Sequence, residues 1–263
     1  MSIRDTIAVN RSFVIGMVHC LPLIGTPGFK ENCQQILDQA VSDAVTLEKA
    51  GVDAIIVENM GDGPFGAKLH PEQVIGLSAA TALVKNAVKI PVGVDAAFND
   101  CRTALAIAKM CGCGFIRVPV FVDTVVFYNG IINPCSHDCM YYRKQINAEE
   151  VMVLADIQVK HTKMVFPDIP MEQSAKDAES CGADGIIVTG SAIGVETPLE
   201  AISRVKKTVK IPVIAGSGVT SANIQQQMEI ADGIIVGSSL KEGGKLENPI
   251  SYELTRELLG GLN

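Results

Sequence analysis

GADGIIVTG, residues 182–190, sets a helix-ending glycine before an unbroken β-branched run, and the phrase recurs along the chain. It returns as GVDAIIVEN at 51–59, as GCGFIRVPV at 112–120 and, shortened, as ADGIIVGSS at 231–239. A second phrase repeats as KIPVGVDA at 89–96 and KIPVIAGS at 210–217. In each copy a helical pattern stops at Gly or before Pro, and an apolar run follows. Glycine ends helices because it accepts positive φ. Val/Ile runs without polar alternation are strands buried on both faces, as in a parallel sheet. Eight such runs are predicted, near 13–18, 54–58, 91–95, 115–120, 151–159, 185–189, 212–215 and 233–236. Helical patterns separate most of them, at 33–49, 72–87, 100–110, 171–180, 198–208 and 221–229, and a last helix is expected at about 251–259. Eight β/α alternations predict an α/β chain closed as a (β/α)8 TIM barrel. The alternative, a doubly wound open sheet, usually carries GxGxxG after an early strand, and none follows the first run here. Without a linker or a break in composition, residues 1–263 read as one barrel domain.

With 48% hydrophobic and 19% charged residues among 263, the chain can bury a large core, which excludes global disorder. A formal charge of −7 argues against a basic nucleic-acid face. Absence of Trp and an aromatic share of 5% argue against binding of single strands by stacking, so no nucleic-acid partner is expected. No apolar run approaches the ~18 residues of a membrane span. The opening MSIRDTIAVNRSF lacks a secretory h-region, so a cytoplasmic protein is expected. Eight cysteines, at 20, 33, 101, 111, 113, 135, 139 and 181, read as reduced, buried, small apolar residues. Cys135-x-His137-x-Cys139 is too tightly spaced for a usual structural zinc site.

Barrel enzymes draw their chemistry from the C-terminal ends of the strands. The seventh run ends in Gly216-Ser217-Gly218 and the eighth in Gly237-Ser238-Ser239. Glycine lets a backbone approach an anion, and successive N–H groups then form a nest. A pair of Gly/Ser loops after strands seven and eight therefore predicts a phosphate site, although tight turns alone would also use these residues. The other strand ends offer His19, Glu58 with Asn59, Asp95, Arg117, Asp156 with Lys160 and His161, and Thr189. Polar groups in apolar strands are costly unless paired. His19 is either an acid–base group or a satisfied rim histidine. Glu58 is a base, or an ion-pair partner of Arg117 or Lys160. Asp95 is a further acid–base candidate, while Asp100 reads as a helix N-cap. Arg117 is a bidentate carboxylate partner or an anion ligand. Strand alternation places Asp156, Gln158 and Lys160 on one side. Lys160 would form a Schiff base or hold an anion, and Asp156 would bind metal, take a proton or fix Lys160. Asn59, Arg117, His161 and Thr189 complete the expected substrate contacts. No cofactor is called for, though a divalent metal on His19, Glu58 and Asp156 is one alternative. Residues 120–147 form a long connection with a turn at Asn133-Pro134 and a short helix near 138–146, and read as a lid or a passive cover over the barrel top.

Taken together, GMVHCLPLIGTPGF at 16–29, VENMGDGPF at 57–65, FND at 98–100, FIRVPVF at 115–121, ADIQVKH at 155–161, IIVTGSAIG at 186–194, GSGVT at 216–220 and ADGIIVGSSLKEGGK at 231–245 resemble the BtpA family of SgcQ-type barrel proteins over nearly the whole chain. That resemblance implies a TIM barrel of the phosphate-binding type. It also implies kinship with a branch associated with photosystem I biogenesis and with another encoded among carbohydrate genes, hence a role in carbohydrate metabolism. Asp95 and Pro119 stand where the family pattern has Asn. The expectation is an enzyme acting on a phosphosugar or nucleotide-like ester by acid–base lyase, isomerase or hydrolase chemistry. A non-catalytic assembly factor and a metal-dependent hydrolase are the alternatives. Barrels often self-associate, so a homo-oligomer is the default partner state.

Overall fold

The computed structural model describes residues 3–9, 12–190 and 196–262. In chain order its strands are β1 (Phe13–His19), β2 (Ala54–Glu58), β3 (Val92–Asp95), β4 (Phe115–Val118), β5 (Val125–Phe127), β6 (Gly130–Ile132), β7 (Met152–Ile157), β8 (Lys163–Met164), β9 (Gly185–Thr189), β10 (Val213–Gly216) and β11 (Gly233–Val236). Eight of them, β1-β2-β3-β4-β7-β9-β10-β11, pair in parallel in that spatial order and close back on β1. Each predicted apolar run supplies one barrel strand. The fourth and fifth end sooner than the runs suggested, at Val118 and Ile157.

The helices are α1 (Ile3–Val9), α2 (Cys33–Ala50), α3 (Pro71–Ala87), α4 (Cys101–Cys111), α5 (Ser136–Gln145), α6 (Met171–Ser180), α7 (Leu199–Lys206), α8 (Ile224–Met228) and α9 (Tyr252–Gly260). Local chemistry sets their ends. Asn32 and Asp100 accept the N–H groups of Gln35 and Thr103 as N-caps of α2 and α4. Gly51 and Gly112 close the same helices at φ 102° and 68°. Helix α1 was not foreseen; its Ile3 is buried and, with Ile7, packs on the apolar side chains inside the barrel.

Phe13, Ile15, Ile56, Phe115, Leu154 and Ile214 are among the side chains filling the barrel. The two phenylalanines lie flat against glycines of the neighbouring strands. A Cβ on Gly233 would stand 2.4 Å from the Phe13 ring, and one on Gly93 2.4 Å from the Phe115 ring. This plug leaves the opposite, C-terminal end of the strands for chemistry.

Residues 120–147 resolve into two parts. Strands β5 and β6 form a hairpin with Tyr128-Asn129 at its tip, and β8, from the segment after β7, adds a third antiparallel strand. Helix α5 then joins the outer helical ring beside α4, where Arg102 donates to Asp138 at 2.8 Å and covers the Tyr142 ring at 3.9 Å. Only the hairpin half therefore lies over the barrel mouth. Six cysteines are buried or half-buried as expected, but Cys33 and Cys181 are exposed, at the start of α2 and the end of α6. No helix of the described residues is long and apolar enough to cross a membrane.

The Phe13 ring has no alternative filler, because the facing strand carries only glycine there. Phe13→Ala is expected to lower unfolding free energy by about 3–5 kcal/mol, read from the midpoint shift in urea denaturation; a loss under about 1 kcal/mol would show that the plug collapses onto the void.

Candidate active site

A cavity of about 400 Å³ opens at the C-terminal ends of the strands. Strand register builds its polar side. His19 is level with Glu58, and Glu58 with Asp95, so three adjacent strands end in titratable groups on one rung. All three line the cavity, with Arg117, Lys160 and His161. His19 Nε2 lies 3.5 Å from Glu58 Oε2. Arg117 donates Nε and Nη2 to the two oxygens of Asp156 at 2.9 and 2.8 Å, and its Nη1 stands 3.6 Å from Asp95 Oδ2. Asp95 is 1% exposed, and neither of its carboxylate oxygens has a hydrogen-bond partner.

This packing of charge shifts the titrating groups. Burial raises the Asp95 carboxyl well above the usual carboxylate range, and the charge of Glu58 adds to the effect. Burial likewise raises Glu58, against the pull of Arg117 and Lys160. Burial lowers the Lys160 ammonium, helped by the Arg117 charge and opposed by the carboxylates. His19 falls to about 3 through burial and the positive charges of Lys241, Lys160 and Arg117, so it is neutral at physiological pH. Burial by itself would lower Arg117, but Asp156, Asp95 and Glu58 outweigh it and hold the guanidinium charged.

Gly216, Ser217, Gly218, Gly237, Ser238 and Ser239 also line the cavity, with Gly237 beside His19. Ser217 and Gly218 take φ of 97° and 63°, a tight turn for which only glycine is unstrained, so Ser217 holds backbone strain at the cup. Buried Thr197 donates to Gly216 O at 2.9 Å, and Asn223 donates to Gly218 O at 2.9 Å. The loop after β11 is fixed by buried Lys241. Its ammonium donates to Asn248 O at 2.6 Å and lies 3.6 Å from Asp43, which in turn accepts the Ile250 N–H at 2.9 Å.

The roof was missed by sequence reasoning. Phe65, Phe98, Phe127 and Tyr128 line the same cavity, with Met17, Met60 and Leu246. The signal that could have found it is Asn129-Gly130, a strong hairpin turn pair preceded here by two aromatics. Three expected site residues lie elsewhere. Asn59, fully buried, donates to Asp62 and to Ala97 O and accepts from Ala97 N, so it ties two loops together below the cavity lining. Thr189 accepts the Lys160 N–H at 3.1 Å and thereby positions that residue. Asp156 is fully buried, with both oxygens taken by Arg117. The expected alternation of Asp156, Gln158 and Lys160 fails, because the strand ends at Ile157 and Gln158 turns to φ 44°. Its amide donates to Ile169 O at 3.0 Å while Lys160 faces the cavity. Of the IIVTGSAIG stretch, residues 191–194 lie outside the described residues.

The family model for the BtpA family matches residues 10–261. The uncharacterized protein PF0860 of Pyrococcus furiosus is 39% identical over 247 residues, covering 94% of this chain and 93% of its own. The photosystem I biogenesis protein BtpA of Synechocystis sp. is 36% identical over 239 residues, covering 90% and 83%. Among solved structures, (S)-3-O-geranylgeranylglyceryl phosphate synthase from Thermoplasma acidophilum superposes with a TM-score of 0.63 at 15% identity, covering 100% and 98% of the two chains. At that identity the likeness shows the barrel fold alone, whereas the family match spans almost all of the sequence: this chain belongs to the BtpA family.

Proposed function

We propose that the chain is an enzyme acting on a small phosphorylated metabolite by acid–base chemistry of the lyase, isomerase or hydrolase kind. Asp95 carries this reading. A carboxyl buried to 1% exposure with no hydrogen bond to either oxygen and only a 3.6 Å approach of Arg117, on the wall of an open cavity, is a group prepared for a partner that arrives from outside. The phosphate would sit at Gly216–Gly218 and Gly237–Ser239. Asp95 would give a proton as its acid form, and Glu58 with neutral His19 would take one. Arg117 would stay charged and hold both carboxylates in place. Lys160, with its proton loosened by burial, would bind an anionic oxygen or act as nucleophile. The solved neighbour acts on a glycerol phosphate, which agrees with this reading of the cup.

A divalent metal on His19, Glu58 and Asp156 does not fit these residues. Both Asp156 oxygens are engaged by Arg117, which would place a guanidinium beside the cation. A non-catalytic biogenesis role, as in the name of the Synechocystis relative, draws support from Val126, Tyr128, Ile131 and Phe166, all exposed on or beside the small sheet. The open cavity with its unpartnered carboxyl supports catalysis more directly.

Ligands that bind only the folded state raise the melting temperature by mass action. A thermal-shift screen of sugar phosphates and nucleotides, with inorganic phosphate as control, should give a stabilising ester whose effect disappears in Gly218→Asp and Gly237→Asp. Absence of any shift in folded protein would overturn the phosphate reading.

Asp95 also sets a pH dependence. A carboxyl raised in the folded state contributes its full stability below its unfolded value of ~4 and loses it as pH rises toward the folded value. Asp95→Asn should therefore raise the melting temperature at pH 8 by at least ~2 °C, and by less at pH 5. Calorimetry at the two pH values checks this, and an equal or opposite change at pH 8 would mean that Asp95 is held as an ion by Arg117.

A further inference from the structure

We propose that the phosphorylated substrate carries a planar heteroaromatic ring, as a nucleoside 5′-monophosphate does, and that Phe65, Phe98, Phe127 and Tyr128 hold this ring. The proposal rests on the phosphate reading of the cup and adds the other half of the ligand.

The chain has eight Phe, four Tyr and no Trp, and four of these twelve aromatics line one cavity. Phe98 and Phe127 pack with Val120, Val125, Ile132 and Val159 in a small apolar cluster that Phe65 packs against, and all three rings also line the cavity. The rest of the barrel interior is mostly Ile, Leu and Met around two phenylalanines. The four rings come from three separate connections, after β2, β3 and β4, and are gathered on the roof. Phe98 and Phe127 stack with centroids 4.2 Å apart and planes at 10°, and Tyr128 leans on Phe127 at 3.9 Å and 42°. Such a stack extends favourably by one more flat ring.

The wall is also fixed before any ligand arrives. Phe65 N–H donates to the Tyr128 hydroxyl, and the Asn129 amide donates to Phe65 O. Phe98 N–H donates to Gly66 O at 3.2 Å. Asn99 donates to Val120 O at 3.0 Å and accepts from Val120 N at 2.9 Å, locking the connection after β3 to the end of β4. Rings already ordered lose little entropy on binding, which favours recognition by stacking.

The polar side decides what kind of ring this is. The unpartnered Asp95 oxygens and Arg117 line the same cavity, so ring N–H and carbonyl groups would find donors and acceptors. A sugar phosphate alone would leave the aromatic roof in water. A plain alkyl phosphate would leave the polar groups without partners. A cavity of about 400 Å³ admits phosphate and ring together.

The test is calorimetric titration of the intact protein with inorganic phosphate, ribose 5-phosphate, hexyl phosphate, purine and pyrimidine nucleoside 5′-monophosphates, and the matching nucleosides. At least one nucleotide should bind about tenfold or more tighter than ribose 5-phosphate, the low end of what stacking of a base on an aromatic contributes. The ratio of those two affinities should fall toward one in Phe127→Leu and in Tyr128→Ala, the latter also removing the acceptor of the Phe65 N–H, with the fold of both variants checked by circular dichroism. Equal affinity for every nucleotide and ribose 5-phosphate, or hexyl phosphate binding as tightly as the best nucleotide, would overturn the ring and leave the phosphate reading standing. Nucleosides binding as well as their phosphates would overturn the cup while supporting the roof. Failure of every phosphorylated compound and nucleoside to bind would overturn both.

Discussion

One guanidinium inside the barrel makes the rest of the site possible. Arg117 joins β4 to β7 through its bidentate pair with Asp156 and reaches Asp95 on β3. Two further carboxyls, Asp95 and Glu58, are buried beside it. Removing a carboxylate from water costs several kcal/mol unless opposite charge and hydrogen bonds offset it. Asp156 receives nearly all of that compensation, through two short charged bonds. Asp95 receives a more distant charge at 3.6 Å and no hydrogen bond. The same cation thus creates two different carboxyls, one tightly paired and one without a hydrogen bond, by the distance at which it stands from each. Glu58 is intermediate, with His19 as its neighbour.

Above this layer the roof depends on a second economy of contacts. Each of the three loops that carry aromatic rings is bonded through its backbone to another of them, so no loop closes the cavity alone. The hairpin tip holds the backbone of Phe65, and Asn99 holds the end of β4. All of these but the Phe98 N–H bond to Gly66 O need a particular side chain, that of Asn99, Tyr128 or Asn129, so the shape of the roof depends on those three residues. Asn59 and Asp62 do the same below: Asp62 accepts from Leu23 N, Asn59 and Gln73, and so anchors the glycine-rich loop that carries Phe65.

The barrel was legible because its strands are buried on both faces and therefore appear as unbroken apolar runs, most of them following a helix that stops at Gly or before Pro. The two Gly-Ser loops were legible as cavity lining because they follow the seventh and eighth strands, at the end of the barrel where the other strand-end polar groups also lie. Asp156 and Lys160 were visible as polar residues in an apolar segment, but the sequence could not say that the strand stops at Ile157. Once it stops, period-two alternation no longer governs Gln158 or Lys160. Helix α1 was hidden by its brevity, since seven residues make about two turns and carry little periodicity. The aromatic roof was hidden because its rings are scattered at 65, 98, 127 and 128, and only tertiary contacts collect them. Lys241 carries no distinguishing signal in the sequence, although in the fold it is 1% exposed and braces the loop after β11.

The two ends of the cavity are coupled through a missing side chain. A Cβ on Gly237 would stand 2.7 Å from Cε1 of His19. The imidazole therefore leans directly on the backbone that forms one side of the cup. His19 is held neutral by burial and by three positive charges, those of Lys241, Lys160 and Arg117. An anion seated on the cup brings a negative charge into that same field and opposes the three cations at close range. Anchoring a phosphate and raising the proton affinity of His19 are then one electrostatic event, linked by thermodynamic necessity. Under the proposed reading Gly237 would serve both purposes, leaving backbone open to the anion and giving the imidazole its place beside it. A barrel that separated these groups by even one methyl would have to orient its histidine by some other means.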